Sequence, residues 1–316
     1  MTCHNCQIAA VKIGKDRKGN QRYRCNNCRK SFQQLKDKML GNMYLPKAKA
    51  LMCLQLLVEG NSVRSIEWIT GVHRDTILSL LNVAGAKCEA MMDTWLRKVR
   101  VTDVQADELW NFVGMKEKTK VRKGKTSVQL GDAYTFVAFE RNTKLVITWH
   151  LGRRSNTDTQ VFIEKLFDAV DGTTNRFQIT TDGFGGYPPA IAYSLGTRTD
   201  YAQLIKIYGP MDEDDHKYSP SKIKEIIPTP QWGNPNPERI CTSHVERQNL
   251  NIRMGLRRFT RLTNGFSKKW ENLKAAIALY FAYYNFCRIH SSIRCTPAME
   301  SGITGHVWSL SELLTA

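Results

Sequence analysis

Four cysteines and three carboxylates are the residues of this sequence whose types and spacing can do chemistry. Cys3, Cys6, Cys25 and Cys28 are spaced C-x₂-C-x₁₈-C-x₂-C. Two such knuckles present four thiolates to one ion, the closed tetrahedral set that a structural Zn2+ takes. One zinc per chain is expected there; a redox C-x-x-C would sit near a βαβ pattern, and none is nearby. The carboxylates are Asp107 in V-T-D-V-Q-A-D-E-L-W-N-F-V (Val101–Val113), Asp182 in T-T-D-G-F-G-G-Y (Thr180–Tyr187) and Glu246 in S-H-V-E-R-Q-N (Ser243–Asn249). Three acids are hard oxygen donors suited to Mg2+ or Mn2+. Two such ions ~4 Å apart serve in-line phosphoryl transfer.

Each acid has a competing reading. Asp103 shares a strand face with Asp107, but four residues of strand span roughly 13 Å, so only one can serve a shared site. Asp107, nearer the strand end, is the candidate. Glu108 points to the opposite face and reads as supporting or structural. Asp182 alone could be an ordinary Asp-Gly turn, although the glycines after it also let backbone approach a phosphate. Ser243-His244-Val245-Glu246 fits a capping box, in which Glu246 merely closes a helix start. The stripe Glu246, Asn249, Arg253 and Arg257, continued by Arg258, Arg261, Lys268 and Lys269, favours an acid that leads into a basic track. The acidic run Asp212–Asp215 lies in an irregular, Pro-rich segment and reads as a solvated loop.

The elements that must position these acids can be read in order. Val101–Val113, Ala133–Arg141 and Lys144–Gly152 are rich in β-branched and aromatic residues and predict three strands. Lys116–Lys125 is a polar, basic connection. Asp158–Val170 predicts an amphipathic helix with Val161, Phe162, Leu166 and Phe167 on one face. A strand over Arg176–Thr181, a helix over Gly185–Ser194 and a strand over Ala202–Ile207 follow. A three-strand meander followed by αβαβ is the order of a ribonuclease-H-like α/β fold. In that fold the strands carrying Asp107 and Asp182 are parallel neighbours.

Ahead of this half stands a helical region. Ala48–Val58, begun by Pro46 and ended by Gly60, is one predicted helix. Val63–Thr70, capped by Ser62 and with Ile66 and Ile69 inward, is a second. After the turn Gly71-Val72, Arg74–Ala84 is a third. Two short helices about a Gly-containing turn match the helix-turn-helix motif, and His73, Arg74, Asp75 and Ser79 would then reach base edges. A further amphipathic helix over Ala86–Arg100 is expected as a linker.

The bulk composition agrees with a nucleic-acid partner. Lys and Arg number 46 against 29 acidic residues, a formal charge of +17, which favours a polyanion. The hydrophobic share of 42% suits a folded chain. No apolar run approaches the roughly 20 residues of a membrane span, and the N-terminus lacks a signal-peptide pattern. A cytoplasmic location is expected, nucleoid-associated in a prokaryote, with the nine cysteines reduced.

Taken together, the cysteine ribbon, the helix-turn-helix pattern, A-D-E-L-W-N-F-V-G, T-T-D-G-F and H-V-E-R-Q-N-L-N-I-R resemble the transposases of the insertion-sequence-1 family, from Met1 to about Arg294. The later Y-Y-N-F-C-R-I-H-S-S-I-R-C-T-P-A (Tyr283–Ala298) is similar to a tail shared by many DDE enzymes and points to Arg288 and His290. The resemblance implies Asp107, Asp182 and Glu246 as a catalytic triad holding two Mg2+ or Mn2+ ions. Water would cut the 3′ ends of the element and those ends would be joined to target DNA. It also implies double-stranded DNA as partner and a homodimer or larger assembly. The expected organisation is a zinc ribbon over 1–40, a helix-turn-helix domain over 41–85, a linker helix over 86–100, a catalytic domain over 101–298 and a tail over 299–316. The segment 208–239 reads as an insertion between the second and third acids.

Overall fold

The structure, a computed structural model, describes all of the 316 residues except 4, 18, 34–38, 42, 173–175, 210–222 and 261–262. Arg261 and the run Asp212–Asp215 therefore lie outside the described residues. The chain divides into two compact units, Met1–Asn42 and Met43–Ala316.

The first unit is a three-stranded antiparallel ribbon, β1 (Val11–Lys15), β2 (Gln21–Arg24) and β3 (Ser31–Gln33). The β1–β2 turn is held by Asp16, whose carboxylate accepts from the Asn20 amide at 2.8 Å. Its buried apolar residues include Tyr23 and Leu40 beside Cys3 and Cys25, too few for a stable core without a staple.

The second unit opens with α1 (Lys47–Val58), α2 (Val63–Thr70) and α3 (Arg74–Trp95). Ser62 caps α2 by accepting from the Ser65 amide, and Gly71 ends it at φ 67°. Ile66 is fully buried, but Ile69, expected inward, is 52% exposed: in so short a helix only one of the two faces α1 and α3. The larger difference is α3, which runs 22 residues without a break through the expected boundary near Ala84. Gly85 lies between the two helices expected over Arg74–Ala84 and Ala86–Arg100. The structure uses it for close packing instead: a Cβ there would lie 2.5 Å from Ala275.

The sheet follows. Its strands are β4 (Asp103–Val113), β5 (Gly131–Glu140), β6 (Val146–Gly152), β7 (Phe177–Asp182), β8 (Thr199–Tyr208) and β9 (Ile223–Trp232), in the order β6-β5-β4-β7-β8-β9. A short helix, α4 (Glu117–Arg122), interrupts the connection after β4. β4 lies parallel to β7, and β7 parallel to β8; the other pairs are antiparallel. The first five strands thus have the 3-2-1-4-5 arrangement of the ribonuclease-H-like fold. β9 is the departure: residues expected to be irregular form a strand at the sheet edge, with Pro228 and Pro230 where edge strands tolerate proline.

Helices cover both faces. α5 (Asn156–Ala169) and α6 (Tyr187–Ser194) sit on one, where Phe136, Phe162 and Tyr187 pack together. α5 buries Phe162, Ile163 and Leu166, while Val161 and Phe167 remain 37% and 42% exposed, so the buried stripe is rotated from the expected one. The other face carries α7 (Ser243–Gly255) and α8 (Trp270–Phe286). Asn285 of α8 bonds both the amide and the carbonyl of Val146. After α9 (Pro297–Glu300) and α10 (Leu310–Leu313), the C-terminus is part of the core: Trp308 packs on Phe286 and Trp95.

Candidate active site

The acid site forms where β7 ends. The last register pair of the parallel ladder is Ala106 with Thr181. One step further, Asp107 and Asp182 stand side by side, and beyond them that edge of β4 pairs with no strand among the described residues. A carboxylate from either face of β4 reaches the same space at such an edge. Glu108, expected on the opposite face as a supporting residue, bonds Tyr187 on that face, yet oxygens of Asp107, Glu108 and Asp182 lie within 4.8 Å of one another. Asp103 is fully buried and paired with Arg141 at 3.0 Å, a structural role.

Each acid is held in place. Asp107 accepts from the Glu108 amide at 2.9 Å and from the Asn249 side chain at 2.7 Å. Glu108 takes the Tyr187 hydroxyl at 2.9 Å and Arg154 Nε at 2.6 Å. Asp182 accepts from the Phe184 amide at 3.0 Å, and Arg154 reaches it at 3.7 Å. Arg154 thus bridges two of the acids while lying 4.4 Å over the Phe184 ring. Burial, then the charge of Asp182, pushes Asp107 up to about 8 and Glu108 up to about 7; burial also raises Asp182. Three crowded carboxylates with raised proton affinity fit a site for hard divalent cations, which would replace the protons.

Glu246 stands on the first turn of α7, outside that trio. It accepts the Thr242 hydroxyl at 2.6 Å and pairs with Lys206 of β8. Its charge nevertheless raises the proton affinity of Asp107 and Asp182. The capping box does not form: Thr242, not Ser243, is the N-cap residue. The start of α7 is satisfied instead by Gln105 of β4, whose carbonyl accepts the amides of His244 and Val245, both at 3.0 Å. Gln105 and Asp107 share a strand face, so one face of β4 both presents an acid and anchors the helix that presents Glu246 and Asn249.

The second candidate centre is the ribbon. All four cysteine sulfurs lie within 4.8 Å of one another, and Cys3 and Cys28 are 3.6 Å apart. Tetrahedral Zn–S bonds of about 2.3 Å place sulfurs about 3.8 Å apart, so the set fits zinc. The Cys28 amide lowers the Cys25 thiol to about 7, toward the thiolate a metal needs. The knuckles match locally: Cys3 and Cys25 donate to the carbonyls of Ile8 and Lys30, and Gln7 and Arg29 both take positive φ, 55° and 58°.

The remaining expected residues are placed as follows. His73 caps α3, accepting from the Asp75 amide at 3.2 Å, and its ring lies 4.0 Å from Glu67. Arg74 and Ser79 are exposed on α3. Arg253 is half-buried and Arg257 exposed; Arg258 bonds Ser267; Lys268 lies over Phe266, and Lys269 is exposed near Glu271. His290 contacts Tyr284 and Ser292, none of them an acid of the site, and Arg288 follows the end of α8. The sequence reading missed Arg154, Tyr187, Lys206 and Gln105; only the basic pair Arg153-Arg154 between a strand and a helix N-cap hinted at the first.

No protein-family model matches the chain, and no curated protein matches it. Among solved structures it is similar to "Crystal structure of the Mos1 Strand Transfer Complex", at 16% identity and a TM-score of 0.22, covering 51% of this chain and 59% of that one. The chain therefore spans less than two thirds of that structure. It is also similar to "Cryo-EM structure of piggyBac transposase synaptic complex with hairpin DNA (SNHP)", at 11% identity and a TM-score of 0.36, covering 85% of this chain and 69% of that one. The chemistry of the site stands on the chain's own groups.

Proposed function

We propose that this chain is a DNA transposase of the DDE type. It would bind the terminal repeats of its element, cut their 3′ ends and join them to target DNA. The observation that carries this reading is the convergence of Asp107, Glu108 and Asp182 at one strand end, with Glu246 on the adjoining helix, in a chain of formal charge +17. Asp107, Asp182 and one of Glu246 and Glu108 are the groups to hold two Mg2+ or Mn2+ ions. Such ions, when bound, activate the attacking oxygen and stabilise the leaving one.

The chain's own residues then have these roles. Asn249 fixes the orientation of Asp107, and Arg154 and Lys206 offset the carboxylate charge. In cleavage, water attacks a terminal phosphodiester, the P–O3′ bond breaks, and a free 3′-hydroxyl and a 5′-phosphate result. In joining, that hydroxyl attacks a target phosphodiester and the target strand leaves as a 3′-hydroxyl. His73, Arg74 and Ser79 of the helical region are the candidate base readers. Arg253, Arg257, Arg258, Lys268 and Lys269 are the candidate backbone contacts. Joining two ends calls for at least a homodimer. One zinc on Cys3, Cys6, Cys25 and Cys28 would stabilise the ribbon.

Strand transfer of labelled end DNA with magnesium or manganese tests the reading. Asp107→Asn and Asp182→Asn each lose it on the order of a thousandfold, since several kcal/mol of charge stabilisation disappear at about 1.4 kcal/mol per tenfold. DNA binding persists in both. Normal turnover by either variant overturns the reading, and leaves a DNA-binding protein without this chemistry.

A further inference from the structure

A cavity of about 700 Å³ opens between the helical region and the catalytic half of the second unit. Its walls come from the start of α2 and from α3 on one side, and from the segment after α7 and from α8 on the other. Arg64, Arg74, Arg257, Arg258, Lys268 and Lys269 line it, and no carboxylate does among the described residues. Its floor is apolar, with Leu81, Leu256 and Leu279 almost fully buried, and Phe266 stands in its wall. Six cations around an apolar floor call for a ligand that is anionic on one side and flat and apolar on the other. The volume is that of ligand-sized cavities, roughly 300–1,000 Å³: large enough for one or two nucleotides and too small for a duplex.

We propose that this cavity holds unpaired nucleotides of a DNA strand, with phosphates on the arginines and lysines and a base against Phe266 and the leucine floor. The proposal rests on the reading of the chain as a DNA-acting protein. Arg258 is the most telling residue. Its Nη1 bonds Ser267 at 3.1 Å, while Nη2 is buried with no hydrogen-bond partner among the described residues. A buried donor left unsatisfied is costly, and Arg258, which lines the cavity wall, would have to turn that nitrogen toward a phosphate to satisfy it. Burial also lowers Arg258 to about 10, as expected of a cation held away from water. Bases stack on aromatic side chains in single-strand sites, and a base would meet Phe266 by displacing the flexible Lys268 side chain that lies over its ring.

The cavity is placed to act with the acids. From Glu246 to Gly255, α7 rises roughly 14 Å, and the lining residues Leu256, Arg257 and Arg258 follow at once. A strand spaced at about 3.4 Å per phosphate would run from acids to cavity in roughly four nucleotides. Asn111 of β4 also bonds the Arg258 carbonyl at 3.1 Å, tying the cavity wall to the strand that carries Asp107.

The test is fluorescence anisotropy with the full chain in the Asp107→Asn background, without added magnesium. The probes are a blunt duplex and the same duplex with a short 3′ thymidine overhang. The expected preference for the overhang is about tenfold, since stacking one base contributes on the order of 1–3 kcal/mol. Ala276→Phe fills the cavity, Phe266→Leu removes the stacking face and Arg258→Lys removes the fork. Each should abolish the preference; Ala276→Phe and Phe266→Leu, which alter no assigned backbone contact, should also leave blunt-duplex affinity within about twofold. Three variants guard against one failing to fold, which thermal melting detects. No preference in the parent protein, or a preference that survives in the folded variants, overturns the proposal. An overhang preference in a protein whose intact triad performs no strand transfer would overturn the transposase reading alone.

Discussion

Glu108 and Glu246 compete for one role, and single side chains decide it. Glu108 shares the trio of Asp107 and Asp182, whereas Glu246 is paired with Lys206 and Thr242. Glu246→Gln and Glu108→Gln, assayed side by side for strand transfer and DNA binding, separate them: the variant that binds but does not join identifies the third ligand. Asn249→Ala leaves Asp107 without its side-chain donor, and strand transfer should fall roughly 10–100-fold, as it does for groups that orient metal ligands. Unchanged turnover would make that bond incidental.

The same acids make a pH prediction. Asp107 and Glu108 rise in the folded state from 3.8 and 4.5 to about 8 and about 7. The fold therefore holds their protons more tightly than the unfolded chain. This contribution to stability is fully present below pH 3.8 and is lost as pH rises through about 8. Magnesium should accordingly raise the melting temperature more at about pH 8.5 than at about pH 6. Asp107→Asn should flatten the difference. Equal magnesium shifts at both pH values would contradict a cation site among these groups.

At the level of elements, the close approach of α3 and α8 at Gly85 joins the helical region to the catalytic half. In an isolated helix Gly→Ala stabilises by about 1 kcal/mol. Here the added methyl meets Ala275 backbone, so Gly85→Ala should destabilise by roughly 1–3 kcal/mol, the range for overpacking. At roughly 2–4 °C per kcal/mol the loss is measurable by calorimetry; a gain in melting temperature would refute the packing argument. In the ribbon, Cys25→Ser with Cys28→Ser should abolish the one zinc found by elemental analysis. Gln7→Gly should instead stabilise the zinc-loaded ribbon by roughly 1 kcal/mol, because Gln7 holds a left-handed backbone that glycine takes freely.

For the whole molecule, the formal charge of +17 is the governing quantity. Lys268→Ala with Lys269→Ala should weaken DNA of any sequence alike, reducing the log–log salt slope by about 0.9 per lost contact. Arg74→Ala should instead lose roughly 1–3 kcal/mol of preference for end DNA over random DNA. Equal weakening on both probes would make Arg74 a backbone contact. No described helix is long and apolar enough to cross a membrane.

What the sequence determined by itself was whatever a local pattern can specify. The C-x-x-C spacing names four ligands without any knowledge of the chain path, and the structure gathers those sulfurs together. The rise along the strand separated Asp103 from Asp107, and the order of strands and helices put Asp182 beside Asp107. Tertiary structure decided what depends on where a neighbour stops or how closely it approaches. Glu108 joins the acids only because β7 ends at Asp182 and frees the edge of β4. Gln105 caps a helix 139 positions away and Asn249 holds an acid 142 positions away. Gly85 reads as a helix break until Ala275 is seen against it. The prolines of β9 read as loop until an edge strand accommodates them. Periodicity and propensity are properties of a few neighbouring residues. Edges, close approaches and long-range caps belong to pairs of elements, and no local pattern records them.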